Sequence, residues 1–123
     1  MLFLKCFIKI DKKLDDIKKF EDKFYEKFKE KNLIDIQNKF QILINYKLDG
    51  SSFVNYIFEF EIDLDENLKK ELNTEKLKLI SKNILISIEE IDYVKRIYRF
   101  YDYSIIKELE SFYPKLFEIE MRV

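Results

Sequence analysis

Two apolar stripes flank Gly50, the only glycine in the chain, and they restrict how residues 34–64 can fold. Residues 34–48 and 52–64 are rich in β-branched and aromatic side chains, which is typical of a β-hairpin with its turn at Asp49 and Gly50. A two-residue loop would place the two stripes on opposite faces of the hairpin. A loop of three or five residues would instead pair apolar residues throughout. Those pairs are Tyr46 with Val54, Ile44 with Tyr56, Ile42 with Phe58, and Phe40 with Phe60. We therefore predict the odd loop, with Gly50 supplying a positive φ, because a one-residue slip would undo every pair.

Apolar periodicity defines the elements on either side of this hairpin. Residues 2–10 alternate between two faces and predict a strand. Residues 12–31 carry an apolar side chain every three or four positions, which indicates an amphipathic helix. A second helix of the same kind is predicted to begin after Asn73 or Thr74, either of which can cap it.

The sequence pattern in part of the last third of the chain fits two secondary-structure assignments. The β-branched and aromatic content of residues 93–101 favours a strand, although one long helix over residues 74–101 is the alternative. Ser104 is expected to cap a short helix that ends before Pro114. Residues 115–123 alternate again and predict a final strand.

The order of these elements predicts the fold class. A single α+β domain over residues 1–123 would contain a ferredoxin-like βαββαβ sandwich, in which an antiparallel sheet has two helices on one face, followed by a C-terminal αβ extension. The buried face of the sheet is expected to carry Leu4, Cys6, Ile8, Ile42, Ile44, Tyr56, Phe58 and Phe60. The opposite face would display Phe3, Lys5, Phe7, Lys9, Lys39, Gln41, Leu43, Asn45, Phe53, Asn55, Ile57 and Glu59.

Composition argues against an enzyme. The chain has no histidine, so the commonest general base and metal ligand is missing, and one glycine cannot build a glycine-rich phosphate loop. Cys6, the only cysteine, lies on the predicted buried face and is expected to be an inert thiol. Two acidic groups could hold a hard cation, but each lies at a predicted element end, where carboxylates act as caps. They are Asp63, Asp65 and Glu66, and Glu89, Glu90 and Asp92. We therefore expect no catalytic residues, no cofactor and no metal.

Charge and hydropathy restrict the expected subcellular location and the classes of binding partner. The 23 basic residues are balanced by 24 acidic ones, for a net charge of −1, which argues against attachment to nucleic acid or membrane by bulk charge. The apolar opening is interrupted by Lys5 and Lys9 and is not typical of a signal peptide, and no apolar run has the length of a membrane span. With only one cysteine, the simplest expectation is a cytoplasmic protein. The absence of alanine and the abundance of Lys, Ile, Asn and Phe indicate a low-GC genome.

The large apolar side chains on the opposite face of the predicted sheet are expected to be covered, since monomers rarely expose a large connected apolar patch. The C-terminal extension, a second copy in a homodimer, or an external partner could supply it. Two stretches resemble the RNA-recognition motif: LFLKCF at 2–7, with Phe3 at the outward aromatic position, and DGSSFVNY at 49–56, in Gly50, Phe53, Val54 and Tyr56. The sequence departs from that family at Cys6, Asp49 and Ser51. The resemblance implies single-stranded RNA bound on the sheet by Phe3, Lys5, Phe7, Phe53 and Asn55.

The leading hypothesis is a binder of another protein. The densest aromatic and basic cluster lies in the strand predicted over residues 93–101 and just after it, and Tyr and Arg are typical interface anchors. This cluster consists of Arg96, Tyr98, Arg99, Tyr101 and Tyr103. We expect a stoichiometric inhibitor, such as an immunity or anti-defence protein of a low-GC bacterium or phage. Single-stranded RNA binding and a structural homodimer are the alternatives.

Overall fold

The computed structural model describes residues 2–10, 17–31, 42–48, 55–62, 70 and 72–112, with the side chains of 42–48, 55, 111 and 112 excepted. Its elements are β1 (Leu2–Ile10), α1 (Ile17–Lys29), β2 (Ile42–Leu48), β3 (Asn55–Ile62), α2 (Thr74–Glu89), β4 (Val94–Asp102) and α3 (Tyr103–Phe112). The strands form one antiparallel sheet in the order β2-β3-β1-β4. The fold is therefore α+β. The strand predicted over residues 93–101 is present as β4, so the alternative of one helix over residues 74–101 is wrong.

The core lies between one face of the sheet and the helices. Alternate residues of β1 and β3 are buried there, as the period-two pattern predicted, together with one stripe each of α1 and α2. Ring contacts join the layers, with centroids 4.6 Å apart for Phe20 and Phe58 and 5.3 Å apart for Phe24 and Phe60. The buried strand residues include Leu4, Cys6, Ile8, Tyr56, Phe58 and Phe60, all of which were expected on this face. The side chains of Ile42 and Ile44 lie outside the described residues.

The hairpin register differs from the predicted one. Tyr46 pairs with Phe58 and Leu48 pairs with Tyr56, so every predicted partner is displaced by four residues. The displacement is even, so Ile42, Ile44, Tyr46 and Leu48 still pair with apolar residues of β3. A physical reason is that this register also gives Leu48 and Ile62 apolar partners, whereas the predicted register would pair them with Ser52 and Asn38. The turn at Gly50 lies outside the described residues.

A bulge near the start of β1 corrects the prediction for Phe3. Leu2 pairs with Glu61 and Leu4 with Phe60, which leaves Phe3 as an extra residue without a partner in β3. A bulge interrupts the alternation of faces, so Phe3 and Leu4 can both turn inwards. Both are fully buried, and the Phe3 ring lies 6.1 Å from that of Tyr103. The expected outward position of Phe3 is therefore wrong.

The caps of α2 and α3 differ in how well they were predicted. Asn73 caps α2 as expected, because its side-chain oxygen accepts from the backbone N–H of Lys76 at 2.9 Å. The cap of α3 is Asp102 and not Ser104: the Asp102 carboxylate accepts from the backbone N–H of Ser104 at 2.9 Å. An aspartate two residues before the N–H that it accepts from is a common cap geometry. The predicted strand over 115–123 and the start of the helix predicted over 12–31 lie outside the described residues.

The buried thiol of Cys6 provides a stability prediction. Burial raises the pKa of the Cys6 thiol to about 12, from about 8.5 in an unfolded chain. Between these values the unfolded chain releases a proton that the native state keeps, so the free energy of unfolding falls as the pH rises, by about 1.4 kcal/mol per unit. We expect Cys6→Ala to lack this loss, so that urea denaturation shows its stability gap to the wild type narrowing above about pH 8.5. A gap that stays constant up to about pH 10.5 would contradict this.

Candidate functional site

The sheet surface opposite α1 and α2, here called the open face, is the candidate site. Its described residues on β1 and β3 occupy the positions between the buried ones. They are Lys5, Phe7, Lys9, Ile57, Glu59 and Glu61. Lys9 is exposed and the others are partly exposed. The described part of the C-terminal extension, α3, packs beside α2 and joins it through an ion pair between Lys78 and Glu108 at 2.5 Å.

Two bulges in β4 decide which of its side chains reach the open face. Lys5 pairs with Tyr101 and Cys6 pairs with Arg99, so Phe100 is an extra residue without a partner in β1. The second irregularity makes Lys95 an extra residue of β4 relative to β1. Because directly paired residues share a face, Tyr101 lies on the open face with Lys5, while Arg99 lies on the helix face with Cys6.

Three rings form an aromatic cluster on the open face. The Phe7 ring lies 6.1 Å from the Tyr98 ring and 6.2 Å from the Phe100 ring, and both contacts are tilted. Tyr98 is 46% exposed and Phe100 is 60% exposed, the highest value among the large hydrophobic residues that the structure describes. Ile57 lies opposite Phe7 on the adjacent strand. The aromatic cluster, defined as Phe7, Tyr98 and Phe100, is thus held on strands and is open to a partner.

Charge is unevenly distributed around the aromatic cluster. Lys5 is paired across the strands with Glu59, with the ammonium 3.7 Å from the carboxylate. Lys9 lies directly opposite Arg96, and both are exposed. Arg96 Nη1 donates a hydrogen bond to the Tyr98 hydroxyl oxygen at 3.2 Å, which lowers the pKa of Tyr98, with a further contribution from the charges of Arg96 and Lys9. This end of the open face is therefore electropositive.

The helix face of β4 carries a different polar group. Asp102 is buried and accepts hydrogen bonds from Ser81 Oγ at 2.5 Å, from Ser104 Oγ at 2.6 Å and from Arg99 Nη1 at 3.1 Å. These residues lie along a groove of about 580 Å³ between α2 and α3. Through Ser81 and Ser104, the Asp102 carboxylate joins β4 to both α2 and α3.

The structure divides the five residues predicted as one binding cluster. Arg96 and Tyr98 lie together on the open face, with Tyr101 one strand position beyond the bulge. Arg99 is directed to the helix face, and Tyr103 begins α3 and packs on Phe3. The five residues were predicted as one cluster from their density of aromatic and basic side chains in the sequence, without an assignment of each residue to a face.

The second predicted set changes as well. Lys5 and Phe7 lie on the open face as expected, and Phe3 is buried. Phe53 and the side chain of Asn55 lie outside the described residues. Phe100 was missed, although its spacing of two from Tyr98 and four from Arg96 is the signal that could have identified it.

Acidic residues that follow α2 form ion pairs with a lysine of α1 and with a lysine just after it. Glu90 pairs with Lys31, and Asp92 lies 3.8 Å from Lys23. Asp63, Asp65 and Glu66 lie outside the described residues. In the part of the chain that the structure describes, no group of three or more potential ligands converges on a metal position.

Comparisons with known proteins add no identification. No known family model, curated protein or solved structure matches the chain. Across the described ranges, no helix combines the length and the apolar content needed to cross a membrane.

Proposed function

We propose that the chain is a non-enzymatic binding domain that recognises another protein through its open face. The observation that carries this proposal is the aromatic cluster with Arg96 beside it. Aromatic and arginine side chains are enriched among the residues that dominate the binding energy of protein interfaces. Aromatic rings bury a large area at a small cost in conformational entropy, and the guanidinium of arginine donates several hydrogen bonds. Tyr98 and Phe100 are held on a paired strand, so little further ordering is needed when a partner binds.

The frame proposed for this surface is the ferredoxin-like sandwich. The element order up to β4 is βαββαβ, and the strand order β2-β3-β1-β4 places the first and third strands in the centre, which supports that assignment. We place the activity in the cytoplasm, because the only cysteine is a buried free thiol that needs no oxidising compartment. In its narrower form, the proposal is a stoichiometric inhibitor, such as an immunity or anti-defence protein of a low-GC bacterium or phage.

A capture experiment tests the proposal. Immobilised wild-type protein is expected to recover one protein in near-equimolar amount from a low-GC host lysate, and the purified pair should re-form. Phe100→Ala is expected to weaken the reconstituted complex by at least about tenfold, since anchor truncations commonly cost more than about 1.4 kcal/mol of binding energy.

The matched control is Leu79→Ala, which removes another exposed large apolar side chain, 46% exposed, from α2 on the opposite side of the sheet. This variant is expected to bind like the wild type. Equal weakening by both variants, or a partner that survives Phe100→Ala unchanged, would overturn the open face as the recognition surface. A doubled mass by light scattering that Phe100→Ala abolishes would replace the proposal with the structural homodimer.

Single-stranded RNA is a second candidate for one specific reason. The aromatic cluster lies next to Lys9 and Arg96, and stacked rings beside cations are how many sheets hold unpaired bases. Under this alternative, an eight-nucleotide oligouridine would shift in mobility at low salt, and Phe100→Ala would abolish the shift. Recovery of RNA without any protein in the capture experiment would favour this candidate.

A further inference from the structure

The end of the open face at Lys9 and Arg96 has an unbalanced charge. The two residues are direct cross-strand partners, and like charges directly opposite each other destabilise a strand pair. Within the described residues, neither has an acidic partner, and the β3 residue paired with Lys9 is Asn55. By contrast, Lys5, four positions earlier on β1, has Glu59 opposite it. An anion between Lys9 and Arg96 would remove this repulsion.

The hydrogen-bond donors at this end are arranged for such an anion. The Tyr98 hydroxyl accepts from Arg96 and therefore has its own hydrogen free to donate. The lowered pKa of Tyr98 has the same cause, the neighbouring cations. The Tyr98 ring packs against the Phe7 ring, so the charged end of the open face is continuous with its apolar surface.

We infer that the partner is a protein segment in which an acidic side chain lies between Lys9 and Arg96 while a neighbouring apolar or aromatic side chain packs on Phe7 and Phe100. This inference rests on the proposed function and names the chemistry of the partner. A carboxylate is favoured over a chain of phosphates because, among the described side chains of the open face, the cations without an acidic partner are Lys9 and Arg96, at one end. Glu59 and Glu61 follow along β3 on the same face, and they would repel a continuous phosphate backbone.

The test uses defined peptides, independently of the natural partner. The probes are a fluorescein-labelled, end-capped Glu-Phe-Glu-Phe-Glu peptide, its Lys-Phe-Lys-Phe-Lys counterpart and eight-nucleotide oligouridine, measured by fluorescence anisotropy. The acidic peptide is expected to bind most tightly of the three. Lys9→Ala and Arg96→Ala are each expected to weaken it at least about fivefold, and raised salt should weaken it further.

Lys82→Ala is the matched control, because it removes an exposed lysine from α2 without touching the open face. Equal loss in this variant, equal binding of the acidic and basic peptides, or tighter binding of oligouridine would overturn the inference, as would no binding of the acidic peptide. The natural partner separates this inference from the proposed function. If its complex is lost in Phe100→Ala but retained in Arg96→Ala, the open face still binds a protein and only the acidic contact fails.

Discussion

Phe58→Ala is expected to lower the free energy of unfolding by about 3–5 kcal/mol, the usual cost of truncating a buried phenylalanine. Phe58 is fully buried on β3, one of the two central strands, and its ring stacks on Phe20 and lies 6.1 Å from Tyr56. Removing the ring loses apolar burial and leaves a cavity between the sheet and α1, which the surrounding backbone can close only in part. Urea denaturation, followed by circular dichroism, measures the change.

The matched control is Phe100→Ala, the same substitution on the opposite face of the same sheet. Because Phe100 is 60% exposed on an edge strand of the described sheet, its truncation is expected to cost no more than about 1 kcal/mol. Similar losses in both variants would contradict the assignment of the buried and open faces. The same comparison shows that weaker partner binding by Phe100→Ala does not arise from unfolding.

Asp102→Ala is expected to cost about 2–4 kcal/mol, because it removes the cap of α3 and leaves buried donors without an acceptor. Ser81 and Ser104 both direct their hydroxyls to this carboxylate, and Arg99 donates to it from the groove between α2 and α3. Asp102→Asn keeps one acceptor oxygen and the capping geometry, so its loss should be smaller. The measurement is again urea denaturation.

A double-mutant cycle with Ser81→Ala provides the control. Ser81→Ala removes a donor together with its need for an acceptor, so its cost should be lower than that of Asp102→Ala. The double variant should lose less than the sum of the two single losses, because the unsatisfied hydroxyl is no longer present. Additive losses, or an Asp102→Ala variant within about 1 kcal/mol of the wild type, would show that the hydrogen-bond network does not join β4 to α2.

Sequence patterns predicted the elements better than the details of their pairing. Cys6 and Ile8 are buried as the alternation predicted, and Asn73 caps α2 as its residue type predicted. Both features depend on local sequence preferences, and the tertiary structure is consistent with them. The hairpin was predicted with the correct parity and with partners displaced by four residues. The two-residue period of a strand determines which residues share a face, and this part of the register was predicted correctly. The exact pairing partners depend instead on which register gives Leu48 and Ile62 apolar partners.

The candidate site was predicted less well, because single-residue bulges control it. Nothing in the letters around Phe3 or Phe100 marks an extra residue in a ladder, since a bulge forms between two strands that are distant in sequence. Without the bulge at Phe100, Arg99 and Tyr101 would lie on the same face of the sheet, and Asp102 would lie on the face opposite the helices. Asp102 and Ser104 are both residue types that cap helices. The prediction named Ser104, whereas the cap in the structure is Asp102.

The two irregularities of β4 also have a consequence for the behaviour of the protein at high concentration. A straight edge strand with exposed aromatic side chains is a template on which a second molecule can add its own strand, and such addition leads to fibrils. Among the described strands β4 is an edge, its bulges at Lys95 and Phe100 are of the kind that bend and twist an edge strand, and Lys95 adds a charge to it. Deleting either residue would straighten this edge strand and favour insoluble aggregates.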